Sequence, residues 1–170
     1  SPERIAYETN EHGVVGYSYS CTNGGGQYIN VNSAINDIQT LSDMTIVIWH
    51  KPDAINANAL CLVAATDKGD AASEFQLKAE GTSTAGKMYL KIAEAGSTKI
   101  GGWTTAAVLT AGEWHHIALR LGTQGNYLWV NGENIPITYT DGNASSTNTL
   151  ASIKNIDDMR IGGIIRSGGE

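Results

Sequence analysis

Apolar residues recur at every second position along most of this chain, and no window of eleven or more residues carries an apolar stripe at helical spacing. Period two belongs to strands, whose alternate side chains face opposite sides of a sheet. The clearest runs cover 44–50, 59–65, 74–79, 87–93, 114–121, 127–131 and 135–140, with weaker ones at 14–19, 28–31, 100–104 and 159–161. Short strands punctuated by Gly, Asn and Asp predict an all-β chain built as two packed antiparallel sheets. One helical segment is expected at 33–41, capped by Ser33 and burying Ile35 and Ile38. Gly122-Thr123-Gln124-Gly125 and Asn131-Gly132 are tight connections, the second suited to positive φ at both positions of a type I′ turn. Residues 114–140 should therefore run as a three-stranded meander.

A chain of 170 residues can bury one sizeable core, and no repeat, proline-rich linker or charge block divides it, so 1–170 reads as a single domain. Eleven Lys and Arg against seventeen Asp and Glu, a net charge of -6, cannot supply the cationic footprint that nucleic acid or anionic lipid requires. No run approaches the ~18 apolar residues of a membrane span. The chain starts at Ser1 and stops in Arg166-Ser167-Gly168-Gly169-Glu170, which reads as a piece of a longer protein. Cys21 and Cys61 either bridge, contributing about 4 kcal/mol in the chain-entropy model, or are two small buried thiols.

Five short stretches, in order, resemble laminin-G-like domains. Asp43-Met44-Thr45-Ile46-Val47-Ile48-Trp49-His50-Lys51-Pro52 is similar to the family's "sFTisaWvkP" strand, and Gly112-Glu113-Trp114-His115-His116-Ile117-Ala118 to its "g.WhHvA" strand. Leu128-Trp129-Val130-Asn131-Gly132 resembles "lYvdG", Met159-Arg160-Ile161-Gly162-Gly163 resembles "lriGg", and 23–29 takes the place of the early "fdG..dyv" hairpin. The resemblance, over about 14–163, implies the jelly-roll β-sandwich of the concanavalin A-like lectin and glucanase superfamily. It implies glycan or protein binding and a calcium ion among the rim loops. By the same resemblance Trp49 and Trp114 take interior packing positions; His116, packed and hydrogen-bonded beside Trp114 in the sandwich, is expected in place of a metal ligand. The family usually adds a further strand after "iGg". Either 156–162 is itself that closing strand or the ladder has a gap that another segment or partner fills, and the gap is expected.

The superfamily's glucanases use E-x-D-x-x-E, because alternate strand residues point the same way across a sugar. No Glu here stands two positions before an Asp, so no enzyme of that type is expected. His115 and His116 are consecutive on a strand and face opposite sides, which prevents a shared metal ion. Calcium needs six to eight oxygens. Asp67 and Asp70 in one loop and Asp141 in another can contribute some, or can serve their own turns. Flat rings hold sugars by stacking while amides and carboxylates bond the hydroxyls. Trp103, set among Gly101, Gly102, Thr104 and Thr105, and Tyr139, just before Asp141-Gly142-Asn143, are the candidate rings, with Asn143 as a polar partner; plain packing is the competing reading. Asn143-Ala144-Ser145 also fits the N-glycosylation sequon. The expected function is a non-catalytic recognition module for a glycan or glycoprotein surface. The alternative is an attachment domain on a viral or phage particle, beside neighbouring domains or subunits. Either places the chain outside the cell or on a particle surface.

Overall fold

The computed structural model describes residues 5–9, 15–19, 27–55, 60–79 and 85–163. The hairpin of β1 (Ile5–Thr9) and β2 (Val15–Tyr19) pairs antiparallel. Next come β3 (Ile29–Asn30), a 3₁₀ turn over Asn32–Ala34 and a short helix α1 (Ile35–Ile38). Strands β4 (Asp43–His50), β5 (Leu60–Asp67), β6 (Asp70–Ala79), β7 (Met88–Glu94) and β8 (Ser97–Thr104) follow. The remaining strands are β9 (His115–Gly122), β10 (Tyr127–Val130), β11 (Glu133–Ile135), β12 (Ile137–Asp141) and β13 (Asp158–Ile161). Two antiparallel sheets result, one ordered β11-β10-β9-β4 and the other β12-β8-β7-β6-β5-β13-β3. They form a β-sandwich, as the period-two pattern predicts.

Alternation builds the core from both sheets. Phe75 and Leu77 of β6, Met88, Leu90 and Ile92 of β7 and Ile100 of β8 meet Ile117, Leu119 and Leu121 of β9 and Leu128 of β10 in one buried cluster. Burying each such side chain contributes on the order of 2 kcal/mol. The same rule corrects two interior assignments. In β4 the inward set is Met44, Ile46, Ile48 and His50, which leaves Trp49 on the outside, 48% exposed. In β9 it is His115, not His116, that turns inward (3% exposed), where its Nε2 faces the backbone N–H and C=O of Thr110 at 3.0 and 3.1 Å. His116 lies against Trp49 on the outer face, ring centroids 5.0 Å apart. Trp114 is half-buried.

Asn131 (φ 53) and Gly132 (φ 84) make the expected turn between β10 and β11, and the Asn131 side chain also accepts the His116 N–H at 2.9 Å. The meander holds for β9, β10 and β11, but the run at 135–140 is divided at Pro136, beyond which β12 pairs with β8 in the other sheet. Proline has no N–H for a ladder, so it suits a crossing point. The helical segment is also shorter than expected. Ser33 caps nothing, and Asn32 instead bonds out of the turn through its Oδ1 to Met159 N at 2.7 Å, so α1 buries Ile35 and leaves Ile38 partly covered. β13 pairs on both sides, with β5 and β3, while β4 stands at the edge of the smaller sheet among the described residues. Cys21, and with it the question of a bridge to Cys61, lies outside the described residues, as do 23–26.

Candidate ligand-binding face

On the side of the seven-stranded sheet opposite the core, the strand registers line up polar side chains in three cross-strand rows. The first runs Asp158, Thr66, Glu74, Ala93 across β13, β5, β6 and β7. The second runs Asn30, Arg160, Ala64, Gln76, Lys91, Gly101 from β3 to β8. The third joins Lys78, Tyr89, Trp103 and Thr138 from β6 to β12. Sequence reading passes over most of these positions, because Glu74-Phe75-Gln76 and Asp158-Met159-Arg160 look like the ordinary polar side of strands. Burial sets them apart: Thr66 and Glu74 are 2% exposed, Gln76 2%, Asp158 3% and Arg160 8%.

Buried charges are tolerated only when paired. Lys91 Nζ donates to Glu74 Oε1 at 2.7 Å, and Gln76 Nε2 donates to the other carboxylate oxygen. Arg160 Nε lies 2.7 Å from Asp158 Oδ2, but without hydrogen-bond alignment, and the guanidinium sits over the Tyr28 ring, 3.5 Å from its centroid. Thr66 Oγ1, between the two carboxylates in its row, is buried with no hydrogen-bond partner among the described residues. At the other end of the face the Tyr89 and Trp103 rings meet at a tilt of 43° with centroids 4.7 Å apart, and Lys78 Nζ lies 4.7 Å from the centre of the Tyr89 ring. The face thus has aromatic ends and a floor of hydrogen-bonding groups, with Thr98, Thr140 and Asp141 closing over Gly101 at the β8 end.

Of the residues singled out from sequence, Trp103 stands on this face, and Asp141, paired with Gly101, extends its second row onto β12. Tyr139 neighbours Thr138, the partner of Trp103, and so turns the other way, against the core. Its hydroxyl donates to Asn126 Oδ1, and burial, with Tyr127 adding to it, pushes the phenol pKa up. Asn126, 2% exposed and not flagged by any motif, also donates through Nδ2 to the carbonyls of Asn143, Ala144 and Ser146 at 2.9, 3.3 and 3.2 Å. Asn143 is exposed, and its Oδ1 accepts from the Ser145 N–H and hydroxyl. Tyr139 and Asn143 are thus joined through Asn126 as parts of a loop anchor.

Asp67 accepts the Gly69 N–H at 2.7 Å, and Asp70 accepts from the Ser73 hydroxyl and the Ala72 N–H, which hold its carboxyl below the usual range. Asp141 accepts from the Thr140 hydroxyl at 3.0 Å. Among the described residues no three His, Cys, Asp or Glu side chains come together as a metal site.

A two-sheet antiparallel sandwich with an organised polar face defines a lectin-like β-sandwich. Residues 23–163 match the family described as the concanavalin A-like lectin/glucanases superfamily, and the chain belongs to it, in the laminin-G branch that its strand motifs resemble. No protein with a curated description matches the sequence. Among solved structures, the chain is similar to the CBM40 of the Ruminococcus gnavus IT-sialidase bound to α2,3-sialyllactose, with TM-score 0.68, 19% identity and coverage of 84% of this chain and 77% of that one. It also matches mouse laminin α1 chain domains LG4-5, with TM-score 0.46, 17% identity and coverage of 71% and 28%.

Proposed function

We propose that the chain is a glycan-binding module whose ligand lies across the outer face of the seven-stranded sheet. The carrying observation is the polar cluster of Arg160, Asp158, Glu74, Gln76 and Lys91, drawn from two adjacent cross-strand rows, between the rings of Tyr28 and Tyr89–Trp103. Such a face can stack a pyranose on its rings and offer its hydroxyls the partly exposed Lys91 ammonium, which buried Glu74 holds in place with Gln76 behind it. Arg160, poorly aligned with its carboxylate and flanked by Tyr28, favours a sugar that bears a carboxylate of its own, because guanidinium binds that group in a bidentate fork. The similarity in fold to a module bound to sialyllactose agrees with this reading.

Binding without hydrolysis follows from the pairing. Glu74 is ion-paired with Lys91 and Asp158 with Arg160, so neither carboxyl group is free to act on a glycosidic bond. The test is a glycan array with sialylated, uronic and neutral oligosaccharides, with calcium and with chelator, on wild type, Arg160→Lys and Trp103→Ala. Expected are roughly tenfold losses in both variants for the acidic ligands, about the cost of one bidentate pair or stacked ring, and no release of sugar. Undiminished binding in both would end the proposal.

A further inference from the structure

The outer face of the four-stranded sheet carries a second arrangement that the polar face does not use. Trp49 pairs with His116, Val47 with Ala118 and Thr45 with Arg120 between β4 and β9, and Trp129 and Tyr127 of β10 continue the last two rows. Val47, Trp49 and Tyr127 are 54%, 48% and 38% exposed. The Tyr127 and Trp129 rings lie 5.7 Å apart at an interplanar angle of 30°, a spacing close to one hexose repeat of an extended β-linked chain. Ala118, the smallest side chain of the patch, lies between Val47 and Trp129 and keeps the centre low.

We infer that this face is a second carbohydrate-binding surface, shaped for neutral, extended polysaccharide chains. Charge points to the class of ligand. Among the described residues Arg120 is the cation of the patch, and Asp43, on the same strand face two residues from Thr45, sets an opposite charge near it, so the surface offers an anionic sugar no surplus attraction. Apolar rings in open water, with Thr45, His116 and Asn134 between and beside them, suit the alternating apolar faces and hydroxyl edges of such a chain.

Depletion assays of the whole chain with microcrystalline cellulose and chitin test this. Wild type is expected to leave solution with the solid, and Trp49→Ala and Trp129→Ala to reduce the bound fraction about fivefold or more, with melting temperatures and acidic-glycan binding unchanged. Trp103→Ala should bind the solids as wild type does, which keeps this surface distinct from the one proposed above. No adsorption by wild type, equal adsorption by the Trp49 and Trp129 variants, or sedimentation showing that these rings hold a dimer of the chain would overturn the proposal.

Discussion

Two inward histidines, His50 and His115, face each other across β4 and β9. Each has a buried ring nitrogen, His50 Nε2 and His115 Nδ1, with no hydrogen-bond partner among the described residues. Burial, then the neighbouring His115, lowers the His50 pKa to about 4, against a smaller opposing pull from Asp53. Because the folded value lies below the unfolded one near 6.5, the unfolded chain binds more protons between them, and stability is full above pH 6.5 and falls toward pH 4. The loss should reach on the order of 3 kcal/mol. Urea unfolding at pH 7, 5.5 and 4.5 is expected to show this slope in wild type and a shallower one in His50→Gln; equal slopes would remove His50 as its cause. Asn126 makes a second prediction. Replacing it with Ala leaves the Tyr139 hydroxyl and the carbonyls of Asn143, Ala144 and Ser146 without their buried partner, which should cost about 2–4 kcal/mol. Hydrogen exchange at 141–146 should then rise well before the rest of the fold is affected.

Among the elements, β12 hangs on the edge of the larger sheet only because Gly102 of β8 has no side chain. A Cβ there would meet Thr138 O at 2.6 Å and Ile137 Cγ2 at 2.8 Å. Gly102→Val should therefore detach β12, with a loss of about 2–3 kcal/mol and a shift in the Trp103 fluorescence, since Trp103 pairs with Thr138. An unchanged unfolding midpoint would contradict that packing. The strands themselves were legible in sequence because period two survives in β4, β6, β7 and β9 whatever surrounds them. The division at Pro136 was not, since the apolar pattern of 135–140 runs through it and only the proline marks the change of sheet. Motif likeness misled at Trp49, and packing beside Trp114 misled at His116: both were read as interior, while the alternation of Ile46, Ile48, Ile117 and Leu119 already assigned the opposite side. The polar face escaped because its members are scattered over 130 residues, each unremarkable beside its sequence neighbours. Trp103 was recoverable from its small-residue setting; Arg160 and Glu74 acquire meaning only once β13, β5 and β6 are neighbours.

At the scale of the molecule, one edge of the larger sheet joins an early and a late segment of the described chain. Asn30 of β3 pairs with Arg160 of β13, and the Arg160 guanidinium meets Tyr28. Contacts at such separation form late, because the loop between them must be closed before it is rewarded. During synthesis β5, β6, β7 and β8 can pair hairpin by hairpin as they emerge, whereas β3 waits for β13, more than a hundred residues behind it. A nascent chain halted before residue 158 would carry Glu74, Gln76, Lys91 and Trp103 in near-final order and still lack the guanidinium end of the face. Under the function proposed above, capture on an acidic-glycan column would report synthesis past residue 161 and folding together.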